Sequence, residues 1–294
     1  MIKIPDISFI IVNFNGIIHT RELLLSICKE ISGLTYEVIV VDNGSSGNDY
    51  DLLVKEFPNF IHIRSDINLG FAGGNNIGIK SSAGRYLMLI NNDTLIPDRS
   101  LPDLVKFMDD NPKVGAASPK ILYLSPPNTI QFAGFTELSK YTLRNHGLGY
   151  NEPDSGQHNT PLKTAFIHGA AVIIRREVIE ECGLMPEEYF LYYEEIDWSY
   201  RIREKGYELW YFPGTKIIHK ESQSIGKNSC IKVFYMTRNR LLLAKRNRKG
   251  FVRTVAILYQ LFVAIPINIL SQMINLRFDL IKFTLKGAVD FFKT

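Results

Sequence analysis

Four short apolar runs in the first 98 residues, each stopping at a polar turn and separated from the next by a stretch suited to a helix or turn, leave the chain few folds to choose from. Residues 8–12 are rich in β-branched side chains and close at Asn13-Phe14-Asn15-Gly16, and residues 36–41 close at Asp42-Asn43-Gly44-Ser45-Ser46. Residues 60–64 lead into Asn68-Leu69-Gly70-Phe71-Ala72-Gly73-Gly74-Asn75-Asn76-Ile77-Gly78, and residues 85–90 close at Asn91-Asn92-Asp93-Thr94. Leu23, Leu24, Ile27 and Ile31 recur at helical spacing over 20–31, and a second helix is predicted over 51–57. Strand, helix, strand with short links builds a parallel sheet with right-handed crossovers. Such sheets bind ligands beyond the carboxyl ends of their strands, where these polar turns fall.

The turns differ in what they offer. Four glycines among amides over 68–78 would let a backbone approach a ligand and leave N–H groups free at a helix start, or would simply make a tight connection. The spacing is not G-x-G-x-x-G, so a dinucleotide fingerprint is not supported. Asp93, at a strand end, suits either a divalent cation beside a diphosphate or a turn before Pro97. Residues 111–163 are rich in Pro, Gly and Asn, with short strands predicted over 121–124 and 130–135. A strand over 165–175 is interrupted by His168-Gly169-Ala170, and helices are predicted over 177–182 and 196–205. Between those helices, Tyr189-Phe190-Leu191-Tyr192-Tyr193-Glu194-Glu195-Ile196-Asp197-Trp198 sets three acids among aromatics, which raise a carboxyl pKa towards that of a useful base. The plainer reading is a charged first helical turn with Asp197 paired to Arg201. Strands over 207–212 and 215–219 flank a turn at Pro213-Gly214 and end at His219.

Charge is unevenly spread. Residues 1–219 hold 20 Lys and Arg against 27 Asp and Glu, whereas residues 220–294 hold 14 against 3. A basic, apolar tail suits an anionic membrane surface, and no nucleic-acid module accompanies the charge. Residues 232–249 read as a basic amphipathic helix. Residues 254–276 carry no charge but are punctuated by Gln260, Pro266, Asn268, Ser271, Gln272 and Asn275, which predicts a broken or interfacial hairpin; a soluble helical subdomain or a homo-oligomer interface is the alternative. Cys28, Cys182 and Cys230 lie far apart, which argues against a disulfide framework or zinc site, and residues 1–6 lack the apolar core of a signal peptide. The expectation is a cytoplasmic protein, peripheral on the inner face of the plasma membrane.

Taken in register, Val12-Asn13-Phe14-Asn15, Val41-Asp42-Asn43-Gly44-Ser45, the 68–76 segment and Asn91-Asn92-Asp93 resemble the nucleotide-sugar half of family-2 inverting glycosyltransferases, the bacterial rhamnosyltransferase-like members especially. The resemblance continues through Phe166–Arg176, the Glu-Glu-Ile-Asp-Trp segment and His219, about residues 7–245. It implies a GT-A fold: an α/β, Rossmann-like, mostly parallel sheet with helices on both faces, here with a C-terminal helical membrane-associating tail. The implied division is 1–98 for the nucleotide sugar, 99–231 for the acceptor, catalysis and a mobile loop over 220–231, and 232–294 for the tail.

Carried over by position, the donor side comprises Asn13, Asn15, Asp42 as the acid that reads the base, Asn43, Ser45, Gly70, Phe71, Gly73, Asn75, Asn76 and Asn92. The acceptor side comprises His168, Gly169, Ala170 and Glu194. Asp93 and His219 would hold Mg2+ or Mn2+, with Asn91 a weak ligand where the family's metal motif has an acid. Glu195 stands where the family more often has Asp, as catalytic base, with Glu194 raising its pKa through like charge. The implied partners are a nucleotide diphosphate sugar, dTDP-rhamnose or a UDP-hexose, and a lipid-linked or surface-polysaccharide hydroxyl. Asn91 and Glu195 leave open a catalytically impaired scaffold protein of a glycan assembly complex. A sugar-phosphate nucleotidyltransferase should carry a basic Gly-rich loop after its first strand, and a processive synthase a Gln-x-x-Arg-Trp motif; neither occurs here.

Overall fold

The computed structural model describes residues 4–220 and 229–294. The chain runs β1 (Ile7–Asn13), α1 (Ile17–Glu30), β2 (Tyr36–Asn43), α2 (Asp49–Glu56), β3 (Ile61–Ser65), α3 (Gly70–Lys80), β4 (Tyr86–Ile90), β5 (Thr94–Leu95), α4 (Leu101–Asp110), β6 (Val114–Tyr123), β7 (Thr129–Phe132), β8 (Leu162–Lys163), β9 (Ala171–Arg175), α5 (Arg176–Cys182), α6 (Glu194–Glu204) and β10 (Glu208–His219). Four tail helices follow: α7 (Cys230–Asn247), α8 (Gly250–Tyr259), α9 (Ile265–Ile274) and α10 (Phe278–Phe291).

One mixed sheet orders its strands β3-β2-β1-β4-β9-β6-β10-β5. The first four are parallel, as short βαβ links require, and β9 enters antiparallel between β4 and β6. Alternation along β1 feeds two cores: Ile7, Phe9 and Ile11 face α1 and α4, whereas Ile10 faces α3 and the Trp198 side of α6. The expected turn at Pro213-Gly214 is a bulge, because β10 stays paired with β6 on either side of a register shift between Phe212 and Lys216. The expected loop over 70–76 is helix. Gly74 and Gly78, one turn apart, let α3 lie directly on β1, since a Cβ at Gly74 would fall 2.8 Å from Val12 and one at Gly78 would collide with Ile10.

In the tail, α8 and α9 form one continuous helix, Gly250–Ile274, joined through a π-helical stretch over 260–264. The predicted break is absent because its polar residues do not interrupt the apolar face. Gln260, Asn268 and Gln272 fall on one stripe at multiples of four residues; Gln260 donates to the Thr142 carbonyl (3.0 Å) and Gln272 to Thr284 (3.0 Å). The opposite face exposes Phe251, Phe262, Ile267 and Leu270. With 25 residues and a mean hydropathy of 1.8 over its most apolar 18, this helix is long and apolar enough to cross a membrane by length and composition.

Candidate active site

A cleft of about 930 Å³ opens where β1, β2 and β4 end, between α3, β7, the start of α6 and the tail helices α7 and α10. Asp93, the third residue after the end of β4, and His219, the last residue of β10, meet there because β5 pairs Thr94 with His219. Asp93 Oδ1 lies 3.1 Å from His219 Nε2, and His219 Nδ1 lies 2.7 Å from Gln131 Oε1 on β7. Burial pushes the Asp93 pKa upward, but the hydrogen bond and charge of His219 outweigh it and hold the carboxyl below its usual range.

This pair fits a hard divalent cation. Two donor atoms bound side by side on an octahedral ion sit about 3 Å apart for bonds of about 2.1 Å. With the Nδ1 proton given to Gln131, the Nε2 lone pair faces a carboxylate oxygen, an arrangement that calls for a cation or a proton between them. Asn91 lines the cleft with its side-chain amide unbonded to the described residues. Among the described residues no cluster of three His, Cys, Asp or Glu exists, so the remaining ligands would come from a diphosphate and water.

Across the cleft stand the two glutamates that begin α6. The backbone before them is strained: Phe190, Tyr192 and Tyr193 have φ of 63°, 70° and 78°. Helix α7 holds it in place. The Asn239 amide nitrogen lies 2.9, 2.7 and 2.9 Å from the carbonyls of Tyr189, Leu191 and Tyr192, and Arg238 donates to those of Glu188 and Tyr189. On the other side Phe71 N–H donates to the Phe190 carbonyl (2.7 Å), next to Gly70, whose φ of +73° opens α3.

Glu195 is partly buried and faces the cleft; burial pushes its pKa up to about 7, against the Glu195 and Tyr193 backbone N–H groups that favour the anion. Glu194 is buried, its Oε2 has no hydrogen-bond partner among the described residues, and burial followed by the charge of Glu195 drives its pKa well above normal. Burial is the largest cause for both carboxyls, and the two glutamates share their like-charge repulsion as one pair. Asp197 keeps its structural role, bonded to Tyr189 (2.9 Å), Arg246 (2.8 Å) and Asn247 (2.9 Å) and paired with Arg201 (3.4 Å). His168 stacks on Phe135 with centroids 5.8 Å apart, and burial, then the nearby His219, pushes its pKa down to about 3.

Of the residues singled out in the sequence, Asn43, Gly70, Phe71, Asn75, Asn91, Asn92, Asp93, His168, Gly169, Ala170, Glu194, Glu195 and His219 line this one cleft. Asn13, Asp42, Ser45, Gly73 and Asn76 do not, because they are buried behind its wall, and Asn15 is exposed outside it. Asn13 donates to Asp42 (3.0 Å), Ser45 (3.2 Å) and Asp49 (3.0 Å), and the other Asp42 oxygen accepts Ser45 N–H (3.1 Å). Asn15 accepts from the Ser46 N–H (2.9 Å), Asn76 ties to Met185 and Glu187, and Gly73 backs onto Leu69. Asp42, expected to read a base, thus holds together the turns after β1 and β2. Gln131, Phe135, Lys232, Tyr235 and Lys286 line the cleft without having been singled out as site residues. Part of the loop expected over 220–231, residues 221–228, lies outside the described residues.

Residues 8–183 match the model of the family described as Glycosyl transferase family 2, more than half of the chain. The low-salt glycan biosynthesis hexosyltransferase Agl10 of Haloferax volcanii is 28% identical over 246 residues, 81% of this chain and 75% of its own length. An N-acetylglucosaminyl-diphospho-decaprenol L-rhamnosyltransferase of Mycobacterium tuberculosis is 24% identical over 212 residues, 65% of this chain and 68% of its own. Among solved structures, the mannosyltransferase PcManGT of Pyrobaculum calidifontis in complex with GDP-Man and Mn2+ superposes with a TM-score of 0.62 at 14% identity, covering 99% of this chain and 88% of that one. That likeness shows the fold, an α/β GT-A-like sheet with helices on both faces.

Proposed function

The chain belongs to glycosyl transferase family 2 and is a glycosyltransferase of glycan or polysaccharide biosynthesis, and from that premise we propose that it transfers one sugar, with inversion, from a nucleoside diphosphate to a hydroxyl of a lipid-linked or surface-glycan acceptor. The observation that carries this reading is the pairing of Glu195, with a pKa near 7, and the Asp93–His219 pair on one cleft. Glu195 takes the proton of the acceptor hydroxyl as that oxygen attacks the anomeric carbon. The bond from that carbon to the diphosphate oxygen breaks, and the nucleoside diphosphate leaves with the electron pair. A bound Mg2+ or Mn2+, held by Asp93 and His219 with Asn91 alongside, would supply charge stabilisation for the leaving group.

Asn43, Gly70, Phe71, Asn75 and Asn92 form the donor wall in this reading, supported by their place on the cleft. Asn13, Asp42 and Ser45 act one layer back, fixing the turns. His168, neutral at every working pH, and Gly169 and Ala170 line the acceptor side. The enzyme sits peripherally on the inner face of the plasma membrane, a placement supported by the exposed apolar face of Gly250–Ile274 beside a basic α7.

Saturation-transfer NMR with dTDP-rhamnose, UDP-hexoses and GDP-sugars, with and without Mn2+, tests this reading. One donor should show contacts that strengthen with the ion; no contact from any nucleotide sugar would overturn it.

A further inference from the structure

The catalytic cleft adjoins a second cavity that the reaction as described does not use. A trough of about 690 Å³ runs along α10 beside Phe234 of α7, lined by Phe278, Ile281, Leu285 and Val289 together with Lys282, Lys286, Asp290 and Lys293. The two cavities share Phe234 and Lys286, so the trough lies directly against the cleft at these two side chains. Lys232 and Lys286 both line the cleft at this end, the first with its ammonium 5.8 Å from the Tyr192 ring centre, the second 5.3 Å from that of Phe283. Neither pairs with a carboxylate among the described residues, and Asp290, the acid in the trough, is engaged by Arg238 at 3.5 Å.

From the trough, past Lys286 and Lys232, to Glu195 the walls change from mostly apolar with Lys282, Asp290 and Lys293 interspersed, to cationic, to carboxylate-bearing. An amphiphile made of hydrocarbon, phosphate and sugar has the same order. We propose that the trough holds the hydrocarbon chain of a lipid-phosphate-linked acceptor, and that Lys232 and Lys286 hold its phosphate while its sugar hydroxyl reaches Glu195. This rests on the glycosyltransferase reading of the cleft. A bilayer phospholipid has no need of a passage to Glu195, and the outward face of Gly250–Ile274 offers it a separate surface. The donor diphosphate belongs at Asp93 and His219, opposite the lysines' role.

Calorimetry on the full chain, with farnesyl diphosphate as probe and UDP and dTDP with Mn2+ run in parallel, tests the site. Farnesyl diphosphate should bind about tenfold or more tightly than either inorganic diphosphate or farnesol, since each lacks one half of the recognition. The double variant Lys232→Ala/Lys286→Ala should weaken it about tenfold or more and leave nucleotide affinity unchanged. Leu285 and Val289 are 49% and 58% exposed, so Leu285→Glu/Val289→Glu keeps the fold and should weaken the probe as well. Equal binding of farnesyl diphosphate by wild type and variants, equal binding of inorganic diphosphate, or full displacement of the probe by phosphatidylglycerol vesicles would each overturn the proposal. A loss of nucleotide affinity in the lysine variant would reassign those residues to the donor. Nucleotide binding without probe binding removes this site alone, whereas absence of both removes the glycosyltransferase reading.

Discussion

A carboxyl that must accept a proton has to be anionic where the enzyme works, and Glu195, with a pKa near 7, is half so at neutral pH. Transfer should therefore rise with pH through about 7 and fall below it, read from kcat/KM against pH. Glu195→Gln should lower kcat by about a hundredfold to ten-thousandfold while the protein stays folded by circular dichroism. The same group sets a stability trend. A folded-state pKa raised above the unfolded one gives stability that is full below about 4.5 and is lost as pH rises through about 7. At pH 8 Glu195→Gln should therefore melt at a higher temperature than the parent. Asp93→Asn should abolish activation by Mn2+ and cut transfer about a hundredfold or more, as should chelation of the parent, checked by metal titration. The place of these residues on the cleft was legible only through the family resemblance, since alone Asp93 read equally as a turn acid and Glu195 as part of a charged first helical turn. The resemblance did not reveal the contacts of Asp42: neighbouring parallel strands bring Asn13 opposite Asp42, and the two bond to each other.

Among the elements, α7 does the most that its sequence conceals. Its Arg and Lys residues suggest a surface helix, yet Arg238, Asn239 and Leu241–Ala244 are buried, and Asn239 pins the carbonyls just before Glu194. Asn239→Ala strips these carbonyls of their donor, which should cost about 1–3 kcal/mol of stability. Donor KM should hold while kcat falls, because only the base segment loosens; unfolding curves and initial rates on one preparation would show both. No pattern local to α7 reveals this, since the partners lie 47 to 50 residues away. Helix α3 shows the converse. Its glycines read as a ligand loop, but their spacing of four is a packing signal for a helix pressed on β1, a signal visible only once the helix is assumed. Gln131 gave no cue, because β7 meets β10's end only through the β6 pairing.

At the scale of the whole molecule, the acidic sheet domain and the basic tail were legible from composition, and the four strand ends from apolar runs that stop at polar turns. The way the tail closes the cleft was not, because charge counts say nothing about which helix face turns inward. Phe251 and Phe262, 77% and 72% exposed, lead the outward face of the long helix. Phe251→Ser/Phe262→Ser should reduce partitioning onto vesicles containing phosphatidylglycerol about tenfold or more, measured by co-sedimentation. Raising salt from about 0.1 to 0.5 M should weaken the parent's binding too, because part of the attraction is screened charge.

The bonds from Asn239 to the segment before Glu194 also set an order in time. Asn239 lies twenty residues beyond His219, so at about 5–20 residues per second the ribosome needs roughly 1 to 4 s to reach it after the last strand is made. During that interval the nucleotide-facing turns exist while the base segment lacks its clasp. Arrested ribosome–nascent chains carrying residues 1–229 on a linker long enough to clear the exit tunnel should therefore bind nucleotide and transfer nothing. Competence would arrive only with the helices that carry the apolar face, so that activity and that face appear together.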